Sequence, residues 1–321
     1  MKYYLGAYAA SPNHSGWDAE LETAYYNELK ALDTVKGLEH PFYGSLHQYD
    51  DEWFLANIAT DWSYVFTCIP GVMNALAENP HFGLASNDEA GRAAALQFMQ
   101  QACAAIAKLN QHFGRQVVSA IQIHTAPARH RASSSKAALA KSLHTMAGWN
   151  WQGARIVIEH CDAYVDGHVP SKGFLSLADE IAVLSALNQH SAVSFGMVIN
   201  WGRSVFETRC IEGAVAHINA AQAAGLLAGV MFSGVSDQDS DYGAWRDSHQ
   251  PPKCSELIQH GSAVSWMTEQ AMHNCLAVCD NPEQLLILGA KIGVRPLSAT
   301  LEQRIAYIRD TLAILQRYFI S

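Results

Sequence analysis

The regular return of short apolar runs constrains the fold of this chain more than any other feature. Each run is rich in β-branched residues and closes on polar, glycine or proline residues. In order they are YYLGAYAA (3–10), TVKGLEHPF (34–42), SYVFTCIPG (63–71), VVSAIQIHTAP (117–127), ARIVIEHC (154–161), SAVSFGMVINWG (191–202), LLAGVMFSGV (226–235) and QLLILGAKIG (284–293). Near-continuous apolar runs of this length predict strands covered on both faces. Helical patterns lie between them. Over 87–114, Asn87 stands as the N-cap, Asp88 and Glu89 come next, and Gly114 closes the far end. The segments 176–190, 212–225 and 301–319 read the same way, with Ser176 as a cap and Gly225 as a terminator. Eight strands alternating with helices over 321 residues predict an α/β chain. The fold expected is a single (β/α)8 TIM barrel over 1–321, with eight parallel strands and outer helices. An open doubly wound sheet lacks support, since neither GxGxxG nor GxxxxGK[ST] comes after the first strand.

Composition narrows the function classes. Charged residues make up 16% of the chain and hydrophobic ones 49%, which favours a compact globule. The formal net charge is -9 and no Lys/Arg-rich run occurs, so a nucleic-acid partner is not expected. No apolar run reaches the roughly 18 residues of a membrane span. The opening MKYYLGAYAASPNHSG has no long apolar segment, so a cytoplasmic protein is expected. Seven cysteines are scattered without a CxxC pair and read as reduced thiols, with Cys275 and Cys279 as small buried side chains.

In such a barrel, chemistry sits where the strands end. The second run ends on Glu39, the fourth carries Gln122 and His124, and the fifth ends Glu159-His160-Cys161-Asp162. The sixth ends Asn200-Trp201-Gly202-Arg203, and the eighth holds Lys291 with Arg295 beyond it. The seventh ends at Ser233 and runs into SDQDSDYGAWRDSHQPPK (236–253), which carries His249. Apolar packing demands none of these groups, and their convergence on one mouth suits a small polar ligand. Alternation divides the fifth-strand cluster: Glu159 and Cys161 point to one side, His160 and Asp162 to the other. The cluster cannot all be one metal site, and Glu159 is the member expected at the mouth, facing Lys291.

A chain with GLEHPF at the second strand end, IQIH at the fourth and VIEHCD at the fifth resembles the xylose-isomerase-like barrel superfamily of sugar isomerases and epimerases. The loop GVSDQDSDYGAWRDSHQPP resembles a bacterial family of unknown function within it. The resemblance covers the whole chain. It implies a carbohydrate substrate, a homo-oligomer, and a divalent metal held by Glu, Asp, His and Glu from strands five to eight. Here those positions match Glu159, Asn200, Ser233 and Lys291. An amide, a hydroxyl and a cation replace the expected ligands, which puts the metal in doubt.

The leading expectation is therefore a metal-independent sugar, sugar-acid or sugar-phosphate isomerase, epimerase or lyase. Glu159 would be the general base, its pKa raised by burial. Lys291 would polarise a carbonyl or form a Schiff base. His124 and Glu39 would form a second acid/base pair. Asn200, Trp201, Arg203, His249 and Arg295 would bind substrate. One alternative keeps Mn, Mg, Co or Zn on Glu159, His124 and His249. The other is a non-catalytic carbohydrate-binding barrel, using aromatics such as Trp17, Tyr43 and Trp201.

Overall fold

The computed structural model describes residues 1–14 and 16–320. Eight strands form a closed parallel barrel in sequence order. They are β1 (Tyr3–Leu5), β2 (Val35–Pro41), β3 (Ser63–Thr67), β4 (Val118–Ile123), β5 (Arg155–His160), β6 (Gly196–Asn200), β7 (Leu227–Phe232) and β8 (Ile287–Ala290). The barrel closes where Tyr4 and Leu5 of β1 lie beside Gly289 and Ala290 of β8. The helices around it are α1 (Ala19–Lys30), α2 (Asp51–Asn57), α3 (Ile69–Glu78), α4 (Glu89–Phe113) and α5 (Lys136–Ala147). They continue as α6 (Leu177–Asn188), α7 (Trp201–Thr208), α8 (Glu212–Ala223), α9 (Glu269–Ala277) and α10 (Leu301–Tyr318). Among the described residues, no helix is long and apolar enough to cross a membrane.

Alternation along each strand sorts the side chains into two apolar layers. Tyr4, Val65, Ala120, Val157, Val198, Met231 and Ile287 fill the barrel interior. A larger layer, including Ile121, Ile156, Ile158 and Ile199, packs the sheet against the helices. The period of two then determines which residues reach the top of the barrel. Two positions beyond Val65, Ala120, Val157, Val198 and Ile287 come Thr67, Gln122, Glu159, Asn200 and Gly289, and a second such step from Gly289 brings Lys291.

The expected runs contain the strands but overshoot their ends. Ile69–Glu78 is already helix, with Pro70 in the first turn where a missing N–H costs nothing. Trp201 likewise opens α7, because the Asn200 side chain caps the backbone N–H of Arg203 at 3.4 Å. The N-cap of α4 is Asp88 rather than Asn87. Its carboxylate accepts from the Gly91 N–H, while the Asn87 amide bonds Ser133 and Ser135 in the neighbouring loop. At the other end Gly114 takes φ 62°, a left-handed conformation that favours glycine.

Candidate active site

Glu159, at the end of β5, is the hub of the upper barrel. It is fully buried, and both of its carboxylate oxygens are engaged. Arg203 Nη1 lies 2.7 Å from Oε2 and His124 Nε2 lies 3.0 Å from the same oxygen. Asn200 Nδ2 donates to Oε1 at 3.1 Å, and Lys291 Nζ stands 3.5 Å from it. The Asn200 amide thus has two tasks, capping α7 with its oxygen and holding Glu159 with its nitrogen. Burial alone raises a carboxyl pKa, which was the expectation for Glu159. Here Arg203 and Lys291 outweigh burial and, helped by His124, hold it well below its ordinary value. Glu159 is an anchored anion and a weak base.

Glu39, at the end of β2, is its counterpart with the opposite bias. Among the described residues, its one ion contact is Lys291 Nζ, 3.0 Å from Oε2. Burial, only partly offset by Lys291, pushes its pKa above the usual carboxylate value. The difference between the two acids has a geometric cause: Glu159 has a guanidinium, an amide and an imidazole around it besides the ammonium, and Glu39 has the ammonium alone. Lys291 itself is fully buried, yet Glu159 and Glu39 outweigh the desolvation and keep its pKa above the ordinary lysine value. It is a fixed ammonium, which disfavours the neutral amine a Schiff base requires. Its stem passes over Gly6, where a Cβ would sit 2.7 Å from Lys291 Cβ and Cγ.

The upper barrel also holds a group of buried polar atoms without a hydrogen-bond partner. They are Oε1 of Glu39, whose Oε2 meets Lys291, and the Tyr8 hydroxyl, the Thr67 hydroxyl, the Gln122 amide and His124 Nδ1. Buried polar groups are normally paired, so several at one end of the barrel mark a place built for a polar ligand. The Tyr8 ring centroid is 5.8 Å from Lys291 Nζ. Burial lowers the pKa of His124 to about 4, so it is neutral at neutral pH. A cleft of about 140 Å³ leads from the surface to Tyr8 and Glu39. Trp17, Tyr43, His47 and Tyr49 line its outer part, with Trp17 and Tyr49 stacked at 5.1 Å.

The loop after β7 folds over the other side of the mouth. Asp237 and Asp239 are exposed and Asp241 is too, but Asp247 turns inward. Its carboxylate lies 3.2 Å from Arg203 Nε, 3.0 Å from Lys172 Nζ and 3.3 Å from His249 Nδ1. These three cations and potential cations outweigh burial and hold Asp247 well below its ordinary pKa. His249 Nδ1 also lies 3.0 Å from the Ser233 hydroxyl, so this histidine is tied to the loop and to the end of β7.

The structure therefore brings Glu39, His124, Glu159, Asn200, Arg203 and Lys291 into one contact network, with His249 at its edge. Trp201 is placed elsewhere, in the apolar layer between sheet and helices, because it stands one residue after the inward-facing Asn200. Arg295 sits over the Tyr242 ring at 5.6 Å and donates to the neighbouring Val294 carbonyl, outside the network. Arg203 is engaged by Glu159, Asp247 and the Cys161 sulfur rather than presented to a ligand.

A divalent metal at the mouth would need free carboxylate oxygens and imidazole nitrogens. Both oxygens of Glu159 already face cations, and a guanidinium and an ammonium would repel a third. His249 offers its Nδ1 to Asp247 and Ser233. The barrel-mouth residues do not fit the metal that the resemblance implies.

His160 faces the helices, as alternation requires. Its Nδ1 lies 2.7 Å from Glu180 on α6 and its Nε2 3.0 Å from Glu207 on α7. Burial opposes protonation, but the two carboxylates prevail and push its pKa up to about 10. Glu180, Glu207 and His217 carry no signal in the sequence, since three different helices supply them. Only the outward phase of His160 points to a partner there.

A model of the family described as Domain of unknown function (DUF4862) matches residues 4–307. Uncharacterized protein STM3670 of Salmonella typhimurium is 33% identical over 319 residues, covering 98% of this chain and 97% of its own. Among solved structures, a protein provisionally described as a xylose isomerase, from Rhodospirillum rubrum, superposes with a TM-score of 0.60. It is 13% identical and covers 99% of both chains. D-psicose 3-epimerase, solved in the presence of D-fructose, gives a TM-score of 0.56 at 12% identity. It covers 99% of this chain and 98% of its own. At these identities the two structures establish a shared fold, the (β/α)8 TIM barrel.

Proposed function

This chain belongs to the DUF4862 family, and we propose that it transforms a small carbohydrate or sugar acid by moving a proton next to a carbonyl. The reaction is an isomerisation, epimerisation or elimination, run without a metal at the barrel mouth. The observation that carries this reading is the buried Lys291 ammonium, 3.0 Å from Glu39 and 5.8 Å from the Tyr8 ring centre, in an upper barrel that also holds unpaired polar atoms of Thr67, Gln122 and His124. A substrate hydroxyl or carbonyl oxygen supplies the partners those atoms lack. Enzymes named for sugar isomerisation and epimerisation share the barrel, and that likeness supports the substrate class by analogy.

In this mechanism Lys291 stands where negative charge develops on the carbonyl oxygen as the adjacent C–H bond breaks. Glu39 takes the carbon-bound proton and returns it, because its raised pKa brings it closer to neutrality than Glu159. Neutral His124 and the Tyr8 hydroxyl orient substrate oxygens. Glu159 keeps Lys291 charged and fixed in place. The cleft at Trp17 and Tyr49 admits the sugar, and its stacked rings offer a face for the apolar side of a pyranose or furanose.

The test is hydrogen exchange. Ketoses, aldoses and their acids and phosphates are incubated with the protein in D2O and monitored by NMR for loss of the signal next to the carbonyl. Exchange with a given sugar, abolished by Glu39→Gln and by Lys291→Met, supports the reading. Saturable binding of a sugar with no exchange or turnover refutes it and leaves a carbohydrate-binding barrel, which the aromatic cleft also suits.

A further inference from the structure

The geometry points to a zinc site outside the barrel wall, formed by His160, Glu207 and His217 and separate from the sugar chemistry at the mouth. Among the described residues, these three offer ligand atoms that all lie within 4.8 Å of one another. His160 Nε2 is 3.0 Å from Glu207 Oε2, and His217 Nε2 is 3.8 Å from Glu207 Oε1. A tetrahedral zinc with bonds of about 2.05 Å needs ligand atoms about 3.3 Å apart, between those two distances. Two imidazoles and a carboxylate are a zinc donor set, and they leave one position for water.

What distinguishes this group from a chance cluster is how its rings are held. A zinc-binding histidine donates its other ring N–H to a fixed acceptor. His160 Nδ1 faces the Glu180 carboxylate at 2.7 Å, and Glu180 is itself held by the Thr125 hydroxyl at 2.6 Å. His217 Nδ1 faces the Ser204 hydroxyl at 3.0 Å. Both Nε2 atoms are thereby turned toward Glu207, whose Oε2 also accepts the Ala163 N–H at 2.7 Å. The two imidazole rings meet nearly edge to face, 77° apart. The Glu207 and His217 side chains each keep 12% exposure, which gives the ion a way in.

The ion would tie β5, α7 and α8 together directly behind the mouth. Glu159 precedes His160 on β5, and Arg203 lies one turn before Glu207 on α7. Zinc therefore braces the Glu159–Arg203 pair from behind.

The untagged protein, stripped with a chelator, is titrated with Zn2+ alone by competition with a chromophoric chelator. The expected result is one equivalent with a dissociation constant below about 1 μM. His217→Ala, on an outer helix, weakens binding by about 100-fold or more, and Glu180→Gln by roughly 10- to 100-fold. Co2+ substitution gives the visible absorption of a tetrahedral site in the wild type and loses it in His217→Ala. Far-UV circular dichroism of each variant separates lost binding from lost folding, and Glu207→Gln serves where His217→Ala does not fold. Binding weaker than about 1 μM, or binding indifferent to these substitutions, overturns the site.

Discussion

Lys291→Met removes the buried ammonium that faces both Glu39 and Glu159, and the distances set its cost. At an effective dielectric of about 20, charges 3.0 Å apart attract by about 5.5 kcal/mol, and at 3.5 Å by about 4.7 kcal/mol. Desolvation of the lysine offsets much of this, so the pair's net worth is far smaller. Removing one partner is a different matter, because it leaves a buried charge without a counterion, at about 3–5 kcal/mol. Glu159 keeps Arg203 in the variant, so the orphan is Glu39. Glu39→Gln in the Lys291→Met background should therefore recover about 2–3 kcal/mol. The assay is denaturation by urea at pH 7 for the wild type, both single variants and the double, comparing midpoints at unchanged slope. Acidity supplies a second check. A carboxyl whose folded pKa lies above its unfolded value binds the extra proton in the folded state, so stability rises as pH falls toward the unfolded value. The Lys291→Met deficit should shrink between pH 7 and pH 5. Single effects that simply add, within about 0.5 kcal/mol, would refute the claim that Lys291 and Glu39 are one ionic unit.

Gly6→Ala places a Cβ 2.7 Å from Lys291 Cβ and Cγ and should destabilise by about 1–3 kcal/mol in the same assay, with the loss only partly relieved by Lys291→Ala, which removes Cγ but keeps Cβ. His40 is buried against the Leu46 carbonyl and its pKa is lowered by burial to about 4. Protonation then favours the unfolded chain, so its contribution is complete above about pH 6.5 and falls by about 3 kcal/mol toward pH 4, and His40→Gln should flatten the urea midpoint over that window. Asp247→Asn loses the anion that holds Arg203, Lys172 and His249, so proteolysis within 236–253 should become at least several-fold faster with the barrel intact by circular dichroism.

The barrel was legible because its two causes are written along the chain. β-branched runs at regular spacing announce strands, and helical stretches between them force parallel pairing. Ends were harder to place. Cys68-Ile69-Pro70 and Asn200-Trp201 look as strand-like as what precedes them, and only caps and tertiary packing turn them into helix. For the site, alternation placed Glu159 inward with Lys291 opposite it, and His160 outward. It could not say how many cations would surround each acid, and that number decides which glutamate is the stronger base. Trp201 shows the same limit: one residue of phase separates the mouth from the helix layer. Glu207 and His217 were invisible, because their meeting depends on how α7 and α8 pack behind β5.

The abrupt passage from β6 into α7 has a mechanical meaning. Arg203 and Glu207 are separated by four residues of continuous helix, about 6 Å along its axis. One reaches the ionic network over the barrel and the other the histidines behind it. No hinge intervenes, so a tilt that draws the guanidinium away from Glu159 must also drag the carboxylate off its imidazole. The wall that keeps the two chemistries apart is also the rod that transmits force between them.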